Sequence, residues 1–367
     1  MINKVTLYGS NISYFTGKME NYFRVRRIPY EFKNMQFPAF EKEMEKNVGV
    51  MQMPAVVLND GRWMTDTTKM IQWFENEIND NKIIPRDPLQ AFFCFLLEDW
   101  ADEWWWRTAM HYRWHYSEGA RFASWHLANE NLSTIPLPVW IKRRFIQFRQ
   151  RSGYTTGDGI TKENIKAVEE DFKNLLSNLD NIFSSRKFLL GDDPTLADIG
   201  FSGPFFRHFA LDPVPLEIIK QQYPHVLNWV YNLWNAKITQ NKVNLVNGIP
   251  DDLYPLLNEV GRLYLPYLNA NINAVKKDHK FFDVNVGDIS FKKARYSRYR
   301  VWCLSEIRNH YNNLDSQIKE RVKKILVETN CWSPMWSHEK LPLLKDQDKL
   351  LPFYADTKMI GVNEPKK

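Results

Sequence analysis

Two short stretches of the sequence could together bind a small peptide. The first is Gln52-Met53-Pro54, directly before the apolar run Ala55–Leu58, which predicts a buried strand. A proline at the start of a strand donates no hydrogen bond to a neighbouring strand, and it tolerates a cis peptide bond. A cis Met53–Pro54 bond would turn the main-chain N–H and C=O groups of Met53 outward, where an extended peptide could pair with them.

The second stretch is Asp66-Thr67, at the start of a predicted helix. Free N–H groups at a helix start, together with the Thr67 hydroxyl, suit a carboxylate, and the Asp66 carboxylate suits an ammonium group. With Met53, these residues describe a receptor for a short peptide that has a free amine and a free carboxylate at one end. Taken singly, Pro54 is equally typical of an ordinary turn, and Asp66-Thr67 of an ordinary helix cap.

A small sheet flanked by helices must position these residues, and the first 80 residues predict one. The hairpin is indicated by the turn Asn59-Asp60-Gly61, and the helices by apolar residues at a spacing of three and four. The predicted elements are, in order, a strand over residues 4–8, a helix over 14–27, a strand over 28–32, a short helix or loop over 41–46, hairpin strands over 54–59 and 61–64, and a helix over 67–77.

Beyond a polar linker with two prolines, the pattern changes to helices only. The clearest are a long helix over residues 89–115 and an amphipathic helix over 162–183. Thr195 and Asp198 have the spacing of a reciprocal helix cap, in which each side chain binds a main-chain N–H of the other residue. Residues after about 249 predict a further helical segment, including a helix over Arg298–Arg308, and then a polar tail.

The order and spacing of these motifs resemble the glutathione transferase superfamily over roughly residues 4–235. The resemblance implies an α/β thioredoxin-like N-terminal domain followed by an all-α C-terminal domain. The boundaries it suggests are a glutathione-binding domain over residues 1–80, a linker over 81–88, an all-helical domain over 89–248 and a helical C-terminal extension with a polar tail over 249–367. The extension exceeds the family pattern, and Asn47-Val48-Gly49 replaces the usual lead-in to the proline.

The resemblance also implies an activity. It predicts an enzyme that binds glutathione as co-substrate and activates its thiolate for attack on a hydrophobic electrophile, with a lyase or a dehalogenase as variants of that step. Members of the family are usually homodimers, so a homodimer is expected. The alternative is a non-catalytic glutathione-binding or scaffold protein, with the extension as its interaction surface. In either case Met53, Pro54, Asp66 and Thr67 are expected to hold glutathione.

The residue expected to activate the thiol is Ser13. A thiol attacks as its thiolate, and its pKa of about 8.5 falls when a hydroxyl at a helix N-terminus holds the anion. Ser13 stands five residues after Tyr8 and fifteen before Ile28, the two spacings of the catalytic serine in serine-type members of the family. Ser10 and Tyr14 are the alternatives, and Ser13 could also be a plain helix cap.

The aromatic segment Asp99–Tyr116 is expected to line the electrophile pocket, because the first helix of the second domain does so in this superfamily. The candidates are Trp104, Met110, His111, Trp114 and His115. Ordinary packing between domains or subunits is the alternative for most of them. His111 and His115 are four residues apart and could share a metal, but no third ligand accompanies them, so no metal is expected.

Composition limits the remaining possibilities. Hydrophobic residues make up 44% and charged residues 25% of the chain, which is typical of a folded soluble protein. The three cysteines are widely spaced, which favours a reducing, cytoplasmic location. The longest apolar run, residues 91–97, is far too short to span a bilayer. Two basic, aromatic clusters over residues 141–151 and 291–300 are expected to be solvated helix faces and not nucleic-acid sites.

Overall fold

A four-stranded mixed sheet forms the centre of the N-terminal part. The computed structural model describes residues 4–238, 244–343 and 350–355. The central strand β1 pairs in parallel with β2 on one side and antiparallel with β3 on the other, and β4 forms the edge beyond β3. The strands are β1 (Val5–Gly9), β2 (Tyr30–Asn34), β3 (Ala55–Val57) and β4 (Trp63–Met64). The thioredoxin-like order expected from the sequence is confirmed.

Three helices accompany this sheet, namely α1 (Tyr14–Arg26), α2 (Ala39–Val48) and α3 (Thr67–Glu77). Helix α1 ends at Arg27, which adopts the left-handed conformation with φ of 59°. The segment for which the sequence left helix and loop open, residues 41–46, lies within α2. Asn59-Asp60-Gly61 forms the expected hairpin turn, in which Gly61 has a φ of 88° that a residue with a side chain rarely adopts.

The second part is helical, as the sequence predicts, and α4 is its longest element. Asp87 caps α4 by accepting the Leu89 N–H at 2.9 Å, and Pro88 occupies the first helical position, where a missing N–H costs nothing. The helices are α4 (Pro88–His115), α5 (Ser117–His126), α6 (Val139–Gln150), α7 (Ile165–Ser185), α8 (Leu196–Pro204), α9 (Pro213–Gln222) and α10 (Pro224–Asn235). Wide π-helical turns continue α5, α6 and α8.

The reciprocal cap predicted for Thr195 and Asp198 is confirmed at the start of α8. The Thr195 side chain accepts the main-chain N–H of Asp198, and the Asp198 carboxylate accepts the Thr195 N–H at 3.0 Å. The same carboxylate also accepts the Leu189 N–H at 3.0 Å and the Trp229 indole N–H at 3.1 Å. Asp198 therefore joins α8 to α10 and to the loop before α8.

The extension is mainly helical but contains a β-hairpin, so the prediction of a purely helical extension was wrong there. Its elements are α11 (Tyr254–Glu259), α12 (Leu265–Lys276), β5 (Phe281–Val286), β6 (Ile289–Arg295), α13 (Arg298–Asn312), α14 (Ser316–Glu328) and α15 (Trp332–Met335). The hairpin turns at Gly287, whose φ is 51°. Ile289, Phe291 and Ala294 of β6 are buried, whereas β5 alternates exposed and half-buried residues, a period-two pattern that helical spacing does not explain.

Helix α4 joins all three parts of the molecule. Its Glu103 binds Arg300 of the extension at 3.0 Å, and its Asp99 accepts the Tyr264 hydroxyl proton at 2.5 Å. One hydrophobic core is continuous from β1 through α4 to α14. None of the helices described is both long and apolar enough to cross a membrane.

Candidate functional site

Ser13 lies at the start of α1, where the sequence predicts the thiol-activating hydroxyl. It is the N-cap residue, and its Oγ accepts the Thr16 N–H at a long 3.4 Å. Ser13 is half-buried, and its own hydroxyl proton forms no hydrogen bond among the described residues. An anion next to Ser13 would therefore meet one free O–H donor and the positive end of the α1 dipole.

The two alternative hydroxyl groups are buried and donate hydrogen bonds to acceptors inside the protein. Ser10 is buried and donates to Asn131 Oδ1 at 2.9 Å. Tyr14 is buried and donates to the Ala101 carbonyl at 2.5 Å, and burial, together with Asp102 and Glu103, raises its pKa well above the usual value. Of the three candidates, Ser13 alone has both solvent access and a free donor.

Two arginines that sequence reasoning missed hold the loop before Ser13. Arg113 of α4 donates to the Ile12 carbonyl at 2.5 Å, and Arg207 donates to the Asn11 carbonyl at 2.9 Å. The Arg207 side chain passes so close to Gly17 of α1 that a Cβ there would lie 2.5 Å from its Cγ. Gly17, an unfavourable residue inside a helix, therefore makes room for the side chain that positions the loop.

The Met53–Pro54 peptide bond is cis, as the sequence predicts. Met53 is half-buried, and its side chain packs with Phe40 and Met44 of α2. Within the described part of the chain, the main-chain N–H and C=O of Met53 form no hydrogen bond with another main-chain group. The main-chain N–H and C=O of Met53 therefore take no part in the hydrogen bonding of the sheet.

Asp66 caps α3 but is nearly inaccessible. Its Oδ1 accepts the Lys69 N–H at 3.2 Å, and its φ of 70° is uncommon for a residue with a side chain. Asp66 and Thr67 are only 3% and 6% exposed. Burial raises the pKa of the Asp66 carboxyl to about 6, although the Lys69 N–H and the charges of Lys69 and Lys18 oppose this shift.

The C-terminal extension covers this helix start. Tyr299 of α13 donates to Asp66 Oδ2 at 3.2 Å. The Pro352 carbonyl accepts the Thr65 N–H at 2.8 Å, and the Ala355 N–H donates to the Val48 carbonyl at 2.9 Å. Residues 350–355 thus bridge the loop before α3 and the loop that leads to Pro54. The hydroxyl of Thr65 is buried and unpaired among the described residues.

A buried charge network joins α1, α3 and α4 beneath these loops. Lys18 of α1 is fully buried and forms ion pairs with Glu98 and Asp102 of α4. Thr68 of α3 donates to Glu98 Oε1 at 2.7 Å. Burial disfavours the Lys18 ammonium, but the two carboxylates outweigh burial and raise its pKa. Sequence reasoning missed this network, although acids four residues apart in an apolar helix are a recognisable signal.

The predicted electrophile pocket divides into two groups on α4. Met110 and Trp114 are buried in a cluster with Ile12, the residue before Ser13. Trp104 instead donates to Asp171 Oδ2 at 2.9 Å and packs on the extension, and His111 binds Glu169 at 2.8 Å and stacks on the exposed His115. Residues 104, 111 and 115 share one face of the helix and residue 110 lies on another, so the five candidates do not share one face of α4. Their role in an electrophile pocket stays a prediction.

Two aromatic residues near Ser13 were missed. Trp106 of α4 stacks on Phe15 of α1 with ring centroids 5.9 Å apart, and both are half-buried. Phe15 lies two residues after Ser13 in the first turn of α1, and Trp106 packs against the cluster that contains Ile12, so the two rings provide an apolar wall in the neighbourhood of Ser13. The three consecutive tryptophans at positions 104–106 were the signal in the sequence that could have indicated these aromatic residues. Of the three, Trp104 and Trp105 pack against other parts of the molecule.

Metal ligands are sparse in this region. His111 and His115 lie side by side, with ring centroids 4.8 Å apart. Over residues 4–238, 244–343 and 350–355, no group of three or more His, Cys, Asp or Glu side chains is arranged to hold a metal ion.

Comparison with protein families gives two matches. The family described as glutathione S-transferase, N-terminal domain, matches residues 7–82, and the family described as glutathione S-transferase, C-terminal domain, matches residues 147–236. Ser13, Pro54 and Asp66 all lie within the first match. A comparison with curated proteins finds no match.

Comparison with solved structures gives matches that include three bacterial proteins. The beta-etherase LigF from Sphingobium sp. strain SYK-6 is 18% identical, with a TM-score of 0.43 over 62% of this chain and 94% of that chain. A GST-like protein from Pseudomonas syringae is 15% identical, with a TM-score of 0.43 over 64% and 68% of the two chains. A glutathione S-transferase from Methylobacterium radiotolerans in complex with glutathione sulfonate is 14% identical, with a TM-score of 0.38 over 66% and 100%. Since these TM-scores are below 0.5, the family assignment depends on the two domain matches.

Proposed function

This chain belongs to the glutathione transferase superfamily, and we propose that it binds glutathione as co-substrate and presents the thiolate to a hydrophobic electrophile. The observation that carries the proposal is the free hydroxyl of Ser13 at the N-terminus of α1. The glutathione thiol loses its proton to solvent, and the Ser13 O–H and the helix dipole stabilise the sulfur anion. The sulfur then forms a bond to an electrophilic carbon. At an aryl halide the halide departs with the electron pair of the broken bond, and at an α,β-unsaturated aldehyde the displaced π electrons take up a proton from solvent.

We propose that glutathione binds along the main chain of Met53. The free main-chain groups of Met53 support pairing with the cysteinyl residue of glutathione, as an added strand pairs with a sheet edge. The Asp66 carboxylate would pair with the γ-glutamyl ammonium group of glutathione. Thr67 and the N–H groups at the start of α3 would bind the γ-glutamyl carboxylate. Because Asp66 is 3% exposed, this binding requires Tyr299 or residues 350–355 to move aside.

The electrophile is proposed to lie against the apolar wall near Ser13. Phe15 and Trp106 are half-buried there, and Met110 and Trp114 lie in the cluster of Ile12 behind them. A wall of this kind favours an aromatic or aliphatic acceptor through burial of apolar surface. A homodimer, expected from the family, and a cytoplasmic location, expected from the widely spaced cysteines, belong to the proposal as well.

A second candidate function has one specific observation in its favour. Tyr299 donates to the Asp66 carboxylate, which glutathione would use, and the Pro352 carbonyl binds the Thr65 N–H next to it, so the chain itself covers the proposed site. A permanently covered site would make this protein a non-catalytic scaffold with the transferase fold. The proposed transferase would turn over glutathione with an electrophile, whereas the scaffold would not.

The test is steady-state turnover of glutathione with a panel of hydrophobic electrophiles, such as aryl halides and α,β-unsaturated aldehydes. We expect Ser13→Ala to lower kcat/KM on the order of 100-fold, as the loss of one anion-stabilising donor does. Ser10→Ala, in the same loop but buried, is the matched control and should retain turnover. Absence of glutathione binding by calorimetry, together with absence of turnover with every electrophile, would favour the scaffold with a covered site.

A further inference from the structure

The outward face of α6 is more apolar than the face that packs on the protein. Its exposed residues include Trp140, Phe145 and Phe148, which are 63%, 60% and 75% exposed. The buried and half-buried residues of α6 are Ile141, Lys142, Arg143, Ile146, Gln147 and Gln150, of which only Ile141 and Ile146 are apolar. A surface helix normally turns its apolar side to the core. The inversion indicates that the outward face contacts something other than water.

The charges around this face have one sign. Residues 131–157 contain one lysine, four arginines and no acid. None of these five cations forms an ion pair within the described part of the chain. Arg144 and Arg149 are exposed on the same outward half of α6 as Phe145 and Phe148, because about 3.6 residues complete one turn.

Further apolar side chains extend the patch beyond α6. Trp125 near the end of α5 is 50% exposed, and Leu137 in the loop before α6 is 49% exposed. Arg143 of α6 donates to the Ser124 hydroxyl at 3.3 Å, so the exposed Trp125 lies at the junction of the two helices. Several exposed bulky residues on adjacent elements form a patch of the kind that marks an interaction site.

We propose that this α6 face binds the surface of a membrane that contains anionic phospholipids. A helix that combines Trp and Phe with Arg suits the boundary between headgroups and acyl chains, where the rings enter the apolar layer and the guanidinium groups reach the phosphates. The absence of acids removes the repulsion that an anionic surface would otherwise meet. The helix would lie in the plane of the surface and would not cross the membrane.

Two other partners fit the face less well. A second copy of this chain, docked through the same face about a twofold axis, would bring unpaired arginines against arginines. A single-stranded nucleic acid is usually held in a basic groove with stacking platforms, whereas α6 is an exposed helix flanked by the aliphatic residues Leu137 and Val139. The aliphatic side chains have no role in base stacking and a direct role in a lipid interface.

The face proposed to bind the membrane and the proposed thiolate site both involve α6. Ile146, on the inward face of α6, packs in the same cluster as Ile12, the residue before Ser13. Membrane binding does not depend on glutathione chemistry, because none of the outward residues contacts the Ser13 loop among the described hydrogen bonds. Failure of either proposal therefore leaves the other intact.

The experiment is co-sedimentation of the full chain with vesicles of phosphatidylcholine alone or of phosphatidylcholine with one third phosphatidylglycerol. We expect binding to the anionic vesicles, weakened by salt. Replacing both outward arginines (Arg144→Gln with Arg149→Gln) should lower the partition coefficient about 30-fold. The variant Trp140→Ala with Phe148→Ala should abolish sedimentation, and both variants alter exposed residues, so the fold is retained.

The matched control is Tyr231→Ala on α10, where an aromatic side chain is 60% exposed away from the basic stretch. It should bind vesicles as the wild type does. Equal sedimentation with and without phosphatidylglycerol, or wild-type binding by both α6 variants, would overturn the proposal. So would α6-dependent retention on single-stranded RNA, or an α6-dependent dimer, in a protein that does not sediment with anionic vesicles.

Discussion

At the scale of single residues, the proposed chemistry depends on groups whose environments differ sharply. Ser13 is half-buried with a free hydroxyl proton, whereas Ser10 and Tyr14 donate to interior acceptors. Asp66 is buried with a raised pKa of about 6. A free donor suits a thiolate, and a carboxylate with such a pKa makes the binding of an ammonium depend on pH.

The affinity for glutathione should rise with pH as Asp66 ionises. With a pKa of about 6, Asp66 is about one-tenth ionised at pH 5 and about nine-tenths at pH 7, so the association constant should increase about tenfold. Ionisation opposes folding in the same range: because the folded pKa exceeds the usual 3.8, the free energy of unfolding from this group falls between about pH 4 and pH 6. Calorimetric titration from pH 5 to pH 7 measures the affinity.

The variant Asp66→Asn should bind glutathione weakly and without this pH dependence. Asp60→Asn, an exposed aspartate in the hairpin turn that binds Arg62, is the matched control and should keep the wild-type curve. An unchanged pH profile in Asp66→Asn would remove Asp66 from the γ-glutamyl site.

Residues with local roles could be predicted from the sequence, and those with distant partners could not. Ser13 and Asp66 cap helices through N–H groups three residues away, so their spacing carries the information. Tyr299 reaches Asp66 across 233 positions of the chain, and no short-range pattern records that contact. The division of the α4 side chains into two groups was missed for a related reason. Helical spacing defines the faces of α4, but it does not tell which neighbouring element packs on each face.

At the scale of elements, the Lys18 network fixes α1 and α3 against α4. Both carboxylates and the ammonium are buried, so each charge depends on the others for its compensation. Helix α1 carries the Ser13 loop and α3 begins at Asp66, and the network therefore holds the two halves of the proposed glutathione site in register. Among elements, the hairpin β5–β6 was missed because its alternation lies in a segment surrounded by helices.

Removing the buried ammonium should destabilise the fold strongly. The variant Lys18→Met leaves Glu98 and Asp102 buried without a cation, which should lower the free energy of unfolding by about 3–5 kcal/mol. Urea denaturation measures the change. The control is Lys173→Met, which removes an exposed lysine paired with Glu170 and should cost no more than about 1 kcal/mol. Equal losses in the two variants would show that the network does not carry this role.

At the scale of the whole molecule, the extension behaves as a third layer of the fold. It contributes Arg300 to Glu103, Tyr264 to Asp99 and Tyr299 to Asp66, so it contacts both α4 and the start of α3. Residues 350–355 then return to the N-terminal part, where they bind Thr65 before α3 and Val48 at the end of α2. The length beyond the family pattern was evident from the sequence, but its position over the proposed γ-glutamyl site was not.

Removing the cover should strengthen glutathione binding. A chain that ends at Leu343 and carries Tyr299→Phe loses the Pro352 carbonyl from Thr65 and the hydroxyl from Asp66. Because glutathione no longer competes with these two groups, each worth about 1 kcal/mol, we expect an affinity gain of about 30-fold by calorimetry. Tyr354→Ala alone keeps both contacts and should change the affinity little. Loss of binding on truncation would instead make the segment part of the site.

We expect above all that the Ser13 hydroxyl stabilises the thiolate of glutathione bound to this chain. Titration of the ultraviolet thiolate absorbance of bound glutathione against pH measures that ionisation directly. We expect a thiol pKa below about 7.5 in the wild type and a return toward about 8.5 in Ser13→Ala, with glutathione still bound. A bound thiol that titrates near 8.5 in the wild type, or the same lowered pKa in both proteins, would contradict it.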